Sequence, residues 1–145
     1  MNTPFGIKEK NCRKSDYDFV FDLTKKTLWS HISKYVVPSK EIFDEGFNKD
    51  YKSIKILSKG KRKIGLYQLD KKGNKLELVK LYLIAAYQNK GIGSFFMDYW
   101  ETLGAKKLSL QVWDNNKNAI RLYKRKGFKI KNKKAHKIFM EKRIE

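Results

Sequence analysis

The sequence has little of several residue types that hold other proteins together. It contains one cysteine, two prolines and two histidines. The lone Cys12 excludes an intramolecular disulfide and a cysteine zinc cluster, so we expect a small buried side chain there and no bound metal. No apolar run approaches the ~20 residues of a membrane span, and the first residues lack the charged-then-apolar order of a signal peptide. These absences predict a cytoplasmic protein with no membrane partner.

Acidic residues are also scarce, since 15 Asp and Glu stand against 34 Lys and Arg, for a formal net charge of +19. The cations are densest in residues 117–143. Such a charge attracts RNA, DNA or an anionic phosphate cofactor. The alternative is that these lysines are the solvated surface of a chain of biased composition. No aromatic-interleaved recognition motif accompanies the charge, so a nucleic-acid partner is not the favoured interpretation.

The 145 residues and 41% hydrophobic content predict an ordered chain with a single domain spanning residues 1–145. Hydrophobic periodicity predicts a strand at 7–12 and a helix capped by Ser15 or Asp16. A second helix is expected from Ser39 through Phe47. Strands at 53–57, 63–69 and 76–84 then form an antiparallel meander, followed by a strand-helix-strand-helix-strand unit. The order predicts an α/β fold, with a mixed, mostly antiparallel central sheet and helices on both faces.

Finer features of the elements also follow from the pattern. The segment from Leu76 to Ile84 is the most apolar and is expected to be central in the sheet. The second helix is expected to bury Ile42, Phe43 and Phe47. The helix after residue 91 is expected to bury a stripe and to end at Gly104. That stripe consists of Ile92, Phe95, Phe96, Tyr99 and Leu103. A lysine-rich turn is expected at 131–135, before a last strand at 136–143.

A glycine-bearing loop, residues 88–93, separates the central strand from an amphipathic helix. Unpaired N–H groups and the positive end of the helix dipole suit a phosphate at such a place. The loop does not match the usual nucleotide-binding motifs. It lacks both the P-loop pattern Gly-x-x-x-x-Gly-Lys-Ser/Thr and the dinucleotide-binding pattern Gly-x-Gly-x-x-Gly. It reads Gln-Asn-Lys-Gly-Ile-Gly, which fits Gln/Arg-x-x-Gly-x-Gly/Ala.

A second motif lies about two dozen residues further on. Residues 116–128 fit Asn-x-x-Ala-x-x-Leu-Tyr-x-x-x-Gly-Phe. Together the two motifs closely resemble the Gcn5-related N-acetyltransferase (GNAT) family. The resemblance is direct over residues 78–130 and extends more weakly over the whole chain through the order of its elements.

The resemblance implies that acetyl-CoA is the cosubstrate and lies where the central strand and the following one splay apart. Its pyrophosphate is expected on the backbone N–H groups of the loop, and its pantetheine arm beside the end of the central strand. There a backbone N–H would polarise the thioester carbonyl. The expected coenzyme-binding residues are Leu81, Leu83, Gln88, Asn89, Lys90, Gly91, Ile92, Gly93, Asn116 and Lys126.

Two side chains of the second motif match family positions with a chemical role. Asn116 matches the asparagine that contacts the coenzyme arm, and Tyr123 matches the tyrosine that protonates the departing thiolate. Asn116 could instead only cap a helix, and Tyr123 could be an ordinary core tyrosine. Lys126 or Arg125 is a candidate for the 3'-phosphate, although either could be solvated surface.

The general base is less well defined by the resemblance. Glu77 matches the catalytic glutamate of the histone-acetyltransferase branch and is the candidate here, although it could be a solvated strand-end charge. Many relatives carry a glutamate eight residues before the glutamine of the loop, where this chain has Lys80. His31 and His136 are the other groups that titrate near neutral pH.

The chain is therefore predicted to transfer acetyl directly from acetyl-CoA to a primary amine of a small molecule or a protein. The alternative is a basic RNA- or ribosome-associated module, or an acyl-CoA sensor, on the same fold without turnover. The amine pocket is expected to be shaped by the segment from Trp29 to Phe47 and the turn from Lys131 to Ala135.

Overall fold

The computed structural model describes residues 5–145, with seven strands and five α-helices in this part of the chain. The strands are β1 (Ile7–Asn11), β2 (Ile54–Lys59), β3 (Arg62–Lys72), β4 (Lys75–Leu83), β5 (Lys107–Trp113), β6 (Lys129–Lys134) and β7 (Lys137–Arg143). The helices are α1 (Tyr17–Thr24), α2 (Ser30–Ile32), α3 (Lys40–Asp50), α4 (Ile92–Trp100) and α5 (Lys117–Arg125). A π-helical turn, Lys25–Trp29, joins α1 to α2.

The strands form one seven-stranded sheet in the order β1-β2-β3-β4-β5-β7-β6. The pair β4 and β5 is parallel, whereas β1 with β2, β2 with β3, β5 with β7, and β6 with β7 are antiparallel. The predicted α/β fold with a mixed, mostly antiparallel sheet is confirmed, and β4 is the central strand as expected.

The chain forms two compact units. The first comprises the chain up to Gln68 together with Lys80–Lys90, and the second comprises Leu69–Val79 and Gly91–Glu145. Strands β3 and β4 contribute residues to both units.

The core of the first unit contains seven buried side chains from α1, α3, β2, β3 and the residue that follows β1. They are Cys12, Val20, Leu23, Phe47, Ile54, Ile56 and Leu66. Cys12 is buried as predicted, and burial together with the nearby Asp16 raises the pKa of its thiol to about 11. The thiol is therefore not a nucleophile near neutral pH.

The two helix starts of the first unit differ from each other. Ser39 caps α3, since its hydroxyl accepts a hydrogen bond from the Ile42 N–H at 3.1 Å. Asp16 precedes α1, but its buried carboxylate accepts from the Arg13 N–H at 2.9 Å and pairs with Lys63 Nζ at 2.5 Å. Asp16 therefore ties the start of α1 to β3, where Lys63 lies.

The predicted apolar stripes were partly wrong. In α3 Phe47 is buried, but Ile42 is 69% exposed. In α4 the buried residues are Ile92, Phe96, Met97 and Trp100, whereas Leu103 is exposed in the 3-10 turn that ends at Gly104. That turn rotates Leu103 away from the buried side of the helix, and Met97 and Trp100 replace it in the core.

The predicted lysine-rich turn at 131–135 was also wrong. Residues up to Lys134 belong to β6, and the chain reverses at Ala135 and His136, with Ala135 in the left-handed region at φ 53°. All six residues of β6 are exposed. An edge strand exposed on both faces has no hydrophobic alternation, and lysines are typical of such strands, so its sequence resembles a polar turn.

Candidate active site

The end of β4 lies in the first unit and is closely packed against β3. A Cβ placed on Gly65 would be 2.6 Å from the Tyr82 carbonyl oxygen and 2.6 Å from Leu83 Cδ2. Beyond the strand, the Ile84 N–H donates to the Ile64 carbonyl at 2.9 Å. Glycine at 65 thus permits the approach that sets the position of Leu81–Leu83, the predicted thioester strand.

The loop after β4 begins with a 3-10 turn, Ala85–Tyr87. The Gln88 side chain donates from Nε2 to the Leu83 carbonyl at 2.9 Å, and the Gln88 N–H donates to the Ala85 carbonyl at 3.2 Å. Gln88 therefore ties the loop back to the end of β4. Asn89 follows with a positive φ of 59°.

Helix α4 begins in the second unit without a side-chain cap. Its N-cap is Gly91, in the left-handed region at φ 85°, and no side chain accepts from the first turn. Ile92 is buried and anchors the helix start. The first N–H groups of α4 therefore point out of the helix without a side-chain acceptor, as an anion site requires.

The second motif, residues 116–128, comprises the N-cap of α5, the helix itself and the residues that follow it up to Phe128. Asn116 is the N-cap of α5, where its Oδ1 accepts from the Ala119 N–H at 3.4 Å. The capping role considered for Asn116 is thus present, and it leaves the side-chain amide as a donor. Tyr123 is half-buried, with its ring 5.9 Å from that of Phe128, and burial raises the pKa of its hydroxyl to about 12.

Lys126, the candidate for the 3'-phosphate, ends α5 in an ion pair. Its Nζ lies 2.6 Å from Asp98 Oδ1. Arg125, the alternative, is exposed. A phosphate at Lys126 would have to compete with the Asp98 carboxylate.

The candidate bases Glu77 and His136, and Lys80 at the position where many relatives carry a glutamate, lie in different surroundings. Glu77 is half-buried, and its Oε1 accepts from Lys72 Nζ at 3.0 Å. Lys80 is half-buried in the first unit, and burial lowers the pKa of its ammonium, with Asp50 and Cys12 acting in the opposite direction. His136 Nδ1 lies 3.3 Å from Asp114 Oδ2, a carboxylate that also pairs with Lys133 at 3.4 Å.

The predicted acceptor segment, Trp29 to Phe47, contributes three rings to an aromatic cluster that the sequence indicated only in part. Ring centroids of consecutive neighbours lie 4.9 to 5.7 Å apart. The cluster consists of Tyr17, Phe21, Trp29, Phe43, Phe47 and Tyr51. At its rim the Tyr17 hydroxyl donates to Asp44 at 2.5 Å, and Lys40 pairs with the same carboxylate at 2.8 Å. Tyr17 is 27 residues away from Asp44 in the chain, so no local pattern could reveal this contact.

Two kinds of feature are absent from residues 5–145. No group of three or more His, Cys, Asp or Glu side chains is arranged to hold a metal ion. No helix in this part of the chain is long and apolar enough to cross a membrane.

Several solved structures share this fold. The PaiA N-acetyltransferase of Thermoplasma acidophilum, in complex with coenzyme A, is 20% identical with a TM-score of 0.74, and the match covers 94% of this chain and 98% of that one. The ribosomal-protein-S18-alanine N-acetyltransferase of Escherichia coli is 16% identical, with a TM-score of 0.70 and coverage of 95% and 94%. The spermidine N-acetyltransferase of Vibrio cholerae, with CoA and spermine, is 18% identical, with a TM-score of 0.68 and coverage of 94% and 93%.

The solved structures show the fold, and comparison of the sequence with protein-family profiles shows the family. A search of curated protein sequences found no match. The profile of the acetyltransferase (GNAT) family, however, matches residues 29–128, which is more than half of the chain and includes both motifs. The chain belongs to the GNAT family of acetyltransferases, enzymes that take the acetyl group from acetyl-CoA.

Proposed function

We propose that residues 1–145 are one N-acetyltransferase domain that transfers acetyl directly from acetyl-CoA to a primary amine. The observation that carries the proposal is the start of α4, where Gly91 supplies backbone freedom and no competing side chain. Because the first N–H groups of a helix carry partial positive charge, a pyrophosphate fits there. Lys90 is exposed beside it and adds a cation.

With the pyrophosphate at the start of α4, the pantetheine arm of the coenzyme would lie along the end of β4. The carbonyl of Leu83 already accepts from the Gln88 side chain, so the end of β4 and the loop are held together before any ligand binds. Leu81 and Leu83 would pair with the pantetheine arm, and the Asn116 amide would donate to it. When bound, the coenzyme supplies an activated acetyl thioester.

Tyr123 acts as the general acid in this proposal. A thiolate leaving group needs a proton, and burial keeps the phenol protonated by raising its pKa to about 12. The neutral hydroxyl also avoids placing a negative charge beside the departing sulfur.

Glu77 acts as the general base, because the attacking amine must lose a proton. Its carboxylate is half-buried on β4 and is contacted by Lys72. The class of acceptor is an amine of a small molecule or a protein. The spermidine and S18-alanine enzymes of the same fold illustrate both classes.

Release of free thiol from acetyl-CoA, measured with a panel of primary amines and amine-bearing peptides, tests the proposal. We expect acceptor-dependent thiol release with at least one of them. Binding of CoA without turnover on any acceptor would favour the alternative, a coenzyme-sensing or RNA-associated module on the same fold.

The role of Glu77 is tested by the dependence of the rate on pH. In Glu77→Gln the rise in kcat/KM toward alkaline pH should flatten, since the amide cannot accept a proton. The matched control is Glu45→Gln, an exposed glutamate of α3. An unchanged profile in Glu77→Gln would remove this residue from the mechanism.

A further inference from the structure

One face of the sheet in the second unit is not a core face. Residues paired across neighbouring strands point to the same side, so the strand register divides the sheet into two faces. One face carries the buried side chains of β4, β5 and β7. They are Leu76, Leu78, Leu108, Leu110, Val112, Ile138 and Met140.

The opposite face, called the open face below, carries side chains of four strands. They are Lys75 and Glu77 of β4, Lys107, Ser109, Gln111 and Trp113 of β5, Lys137, Phe139, Glu141 and Arg143 of β7, and Lys129, Asn132 and Lys134 of β6. All of them except Ser109 are exposed or half-buried.

The cations of the open face lie in rows across the strands. Lys107 stands opposite Lys75 on one side and opposite Arg143 on the other. At the other end of β7, Lys137 stands opposite Lys134. Like charges directly opposite each other destabilise a sheet, so each row favours an anion placed over it.

Acidic side chains do not balance these rows. The open face has six cations and two carboxylates. Glu77 is contacted by Lys72 and Glu141 stands opposite Lys129, so neither neutralises a row. The first row also borders a cavity of about 420 Å³, which leaves room for an anion. The cavity is lined by Asn74, Lys106, Lys107, Arg143 and Ile144.

Two aromatic side chains lie between and beside the rows. Phe139 stands opposite Gln111 and Asn132, and Trp113 stands opposite Lys137, which makes the two rings diagonal neighbours on the face. Both rings are half-buried. Lys137 Nζ lies 5.1 Å from the centre of the Trp113 ring, a cation–π contact. The face thus combines aromatic surface, amide groups that can hydrogen-bond and flanking cations.

We propose that the open face binds a single-stranded nucleic acid, with bases stacked on Phe139 and Trp113 and phosphates over the two cationic rows. Single strands are recognised by such sheets because every base offers a π-face to an aromatic ring while the backbone follows positive charge. A duplex hides its base faces, and a lipid surface offers none. On binding, a base displaces the Lys137 ammonium from the Trp113 ring and that ammonium turns to a phosphate. This inference does not depend on the proposed acetyl transfer.

The contact between phosphates and the cationic rows is tested by measuring the binding constant of a labelled oligouridylate of about twelve nucleotides. Fluorescence anisotropy gives this constant at salt concentrations between about 50 and 200 mM. Each phosphate contact contributes about 0.7 to the slope of log K against log salt. Lys134→Gln/Arg143→Gln removes one cation from each row and should therefore reduce the slope by about 1.4. The matched control is Lys8→Gln/Lys10→Gln, which removes the same charge from exposed positions of β1, the strand at the other edge of the sheet.

The stacking of bases on the two aromatic rings is tested by Phe139→Leu, which keeps an apolar side chain but removes the ring. We expect about five-fold weaker binding or more. Trp113→Leu is a second variant with the same expectation, and melting temperatures show that each variant folds. The proposal is overturned by an equal loss in the β1 control, by duplex RNA or anionic vesicles binding as tightly as the single strand, or by unchanged affinity in both ring variants.

Discussion

At the scale of single residues, Tyr123 combines a half-buried ring with a hydroxyl that stays protonated. Its pKa of about 12 keeps the proton in place throughout the range in which an amine becomes a free nucleophile. Tyr123→Phe should lower kcat by about two orders of magnitude or more, the usual size of a general-acid contribution. Coenzyme affinity, measured by calorimetry, should change little. Tyr99→Phe is the control, and equal kcat in wild type and Tyr123→Phe would contradict the assigned role.

Asp16 is a single residue whose charge is expected to stabilise the folded protein. Burial alone would raise the pKa of its carboxyl, but the hydrogen bonds from Lys63 and the Arg13 N–H outweigh burial and lower it. The carboxylate therefore stabilises the fold above the unfolded-state pKa of about 4, and this contribution is lost as pH falls through the lower folded-state value. Asp16→Asn should cost about 1–3 kcal/mol of unfolding free energy at neutral pH, because Lys63 loses its charged partner and the amide offers one acceptor oxygen to two donors.

Urea denaturation at several pH values measures this effect. The difference between wild type and Asp16→Asn should shrink under acid conditions, where both side chains are neutral. Asp18→Asn, at an exposed position of α1, should change stability little. A difference that stays constant from neutral to acid pH would show that the charge of Asp16 is not what stabilises the helix start.

At the scale of elements, the approach of β3 to the end of β4 depends on Gly65. A methyl group there would meet the Tyr82 carbonyl oxygen at 2.6 Å, and backbone cannot yield as a flexible side chain does. Gly65→Ala should lower stability by about 1–3 kcal/mol and raise the Kd for CoA, since Leu83 moves with the strand. Gly46→Ala is the matched control because a Cβ there meets nothing within 4 Å inside α3.

The control variant Gly46→Ala is itself expected to change the stability of the protein. Alanine in place of a helix-interior glycine should stabilise the protein by about 0.5–1 kcal/mol. Thermal unfolding and calorimetric CoA titration of both variants measure the contrast. Gly65→Ala with unchanged stability and coenzyme affinity would show that the end of β4 is not held by this contact.

The elements differ in how much of them the sequence could predict. Local features were predictable, because the start of α4 at Gly91, the cap at Asn116 and the central position of β4 depend on neighbouring residues or on one hydrophobic run. The buried side of α4 was mispredicted at Leu103, since a helix is rotated by its packing partners rather than by its own pattern. The roles of the coenzyme residues stay predictions.

The open face could not be predicted for a different physical reason. Phe139, Trp113 and the lysines of β6 lie on separate strands, and only the register brings them to one side of the sheet. A recognition motif assembled by strand pairing leaves no interleaved pattern in the chain. The charge of residues 117–143, with 12 lysines and arginines against a single glutamate, was therefore interpreted as solvated surface, and nucleic-acid binding by the open face is a proposal.

At the scale of the whole molecule, the net charge of +19 acts on stability. Self-repulsion weakens the folded state more than the expanded unfolded chain, and salt screens it over about 8–10 Å. We expect the melting temperature to rise as salt increases from low to physiological concentration. A gain of about 1 kcal/mol corresponds to roughly 3–5 °C for a chain of this length.

The two like-charged rows of the open face should account for part of this salt response. Lys134→Gln/Arg143→Gln removes one member of the Lys134–Lys137 pair and one member of the Lys107–Arg143 pair, so its melting temperature at low salt should exceed that of the wild type. The dependence of its melting temperature on salt should be shallower than that of Lys8→Gln/Lys10→Gln, which loses the same charge but breaks neither like-charged row. Differential scanning fluorimetry at several salt concentrations measures both slopes. If the melting temperatures of the two variants respond alike to salt, the repulsion comes from total charge alone. If salt lowers the melting temperature of the wild type, self-repulsion does not limit the stability of this fold.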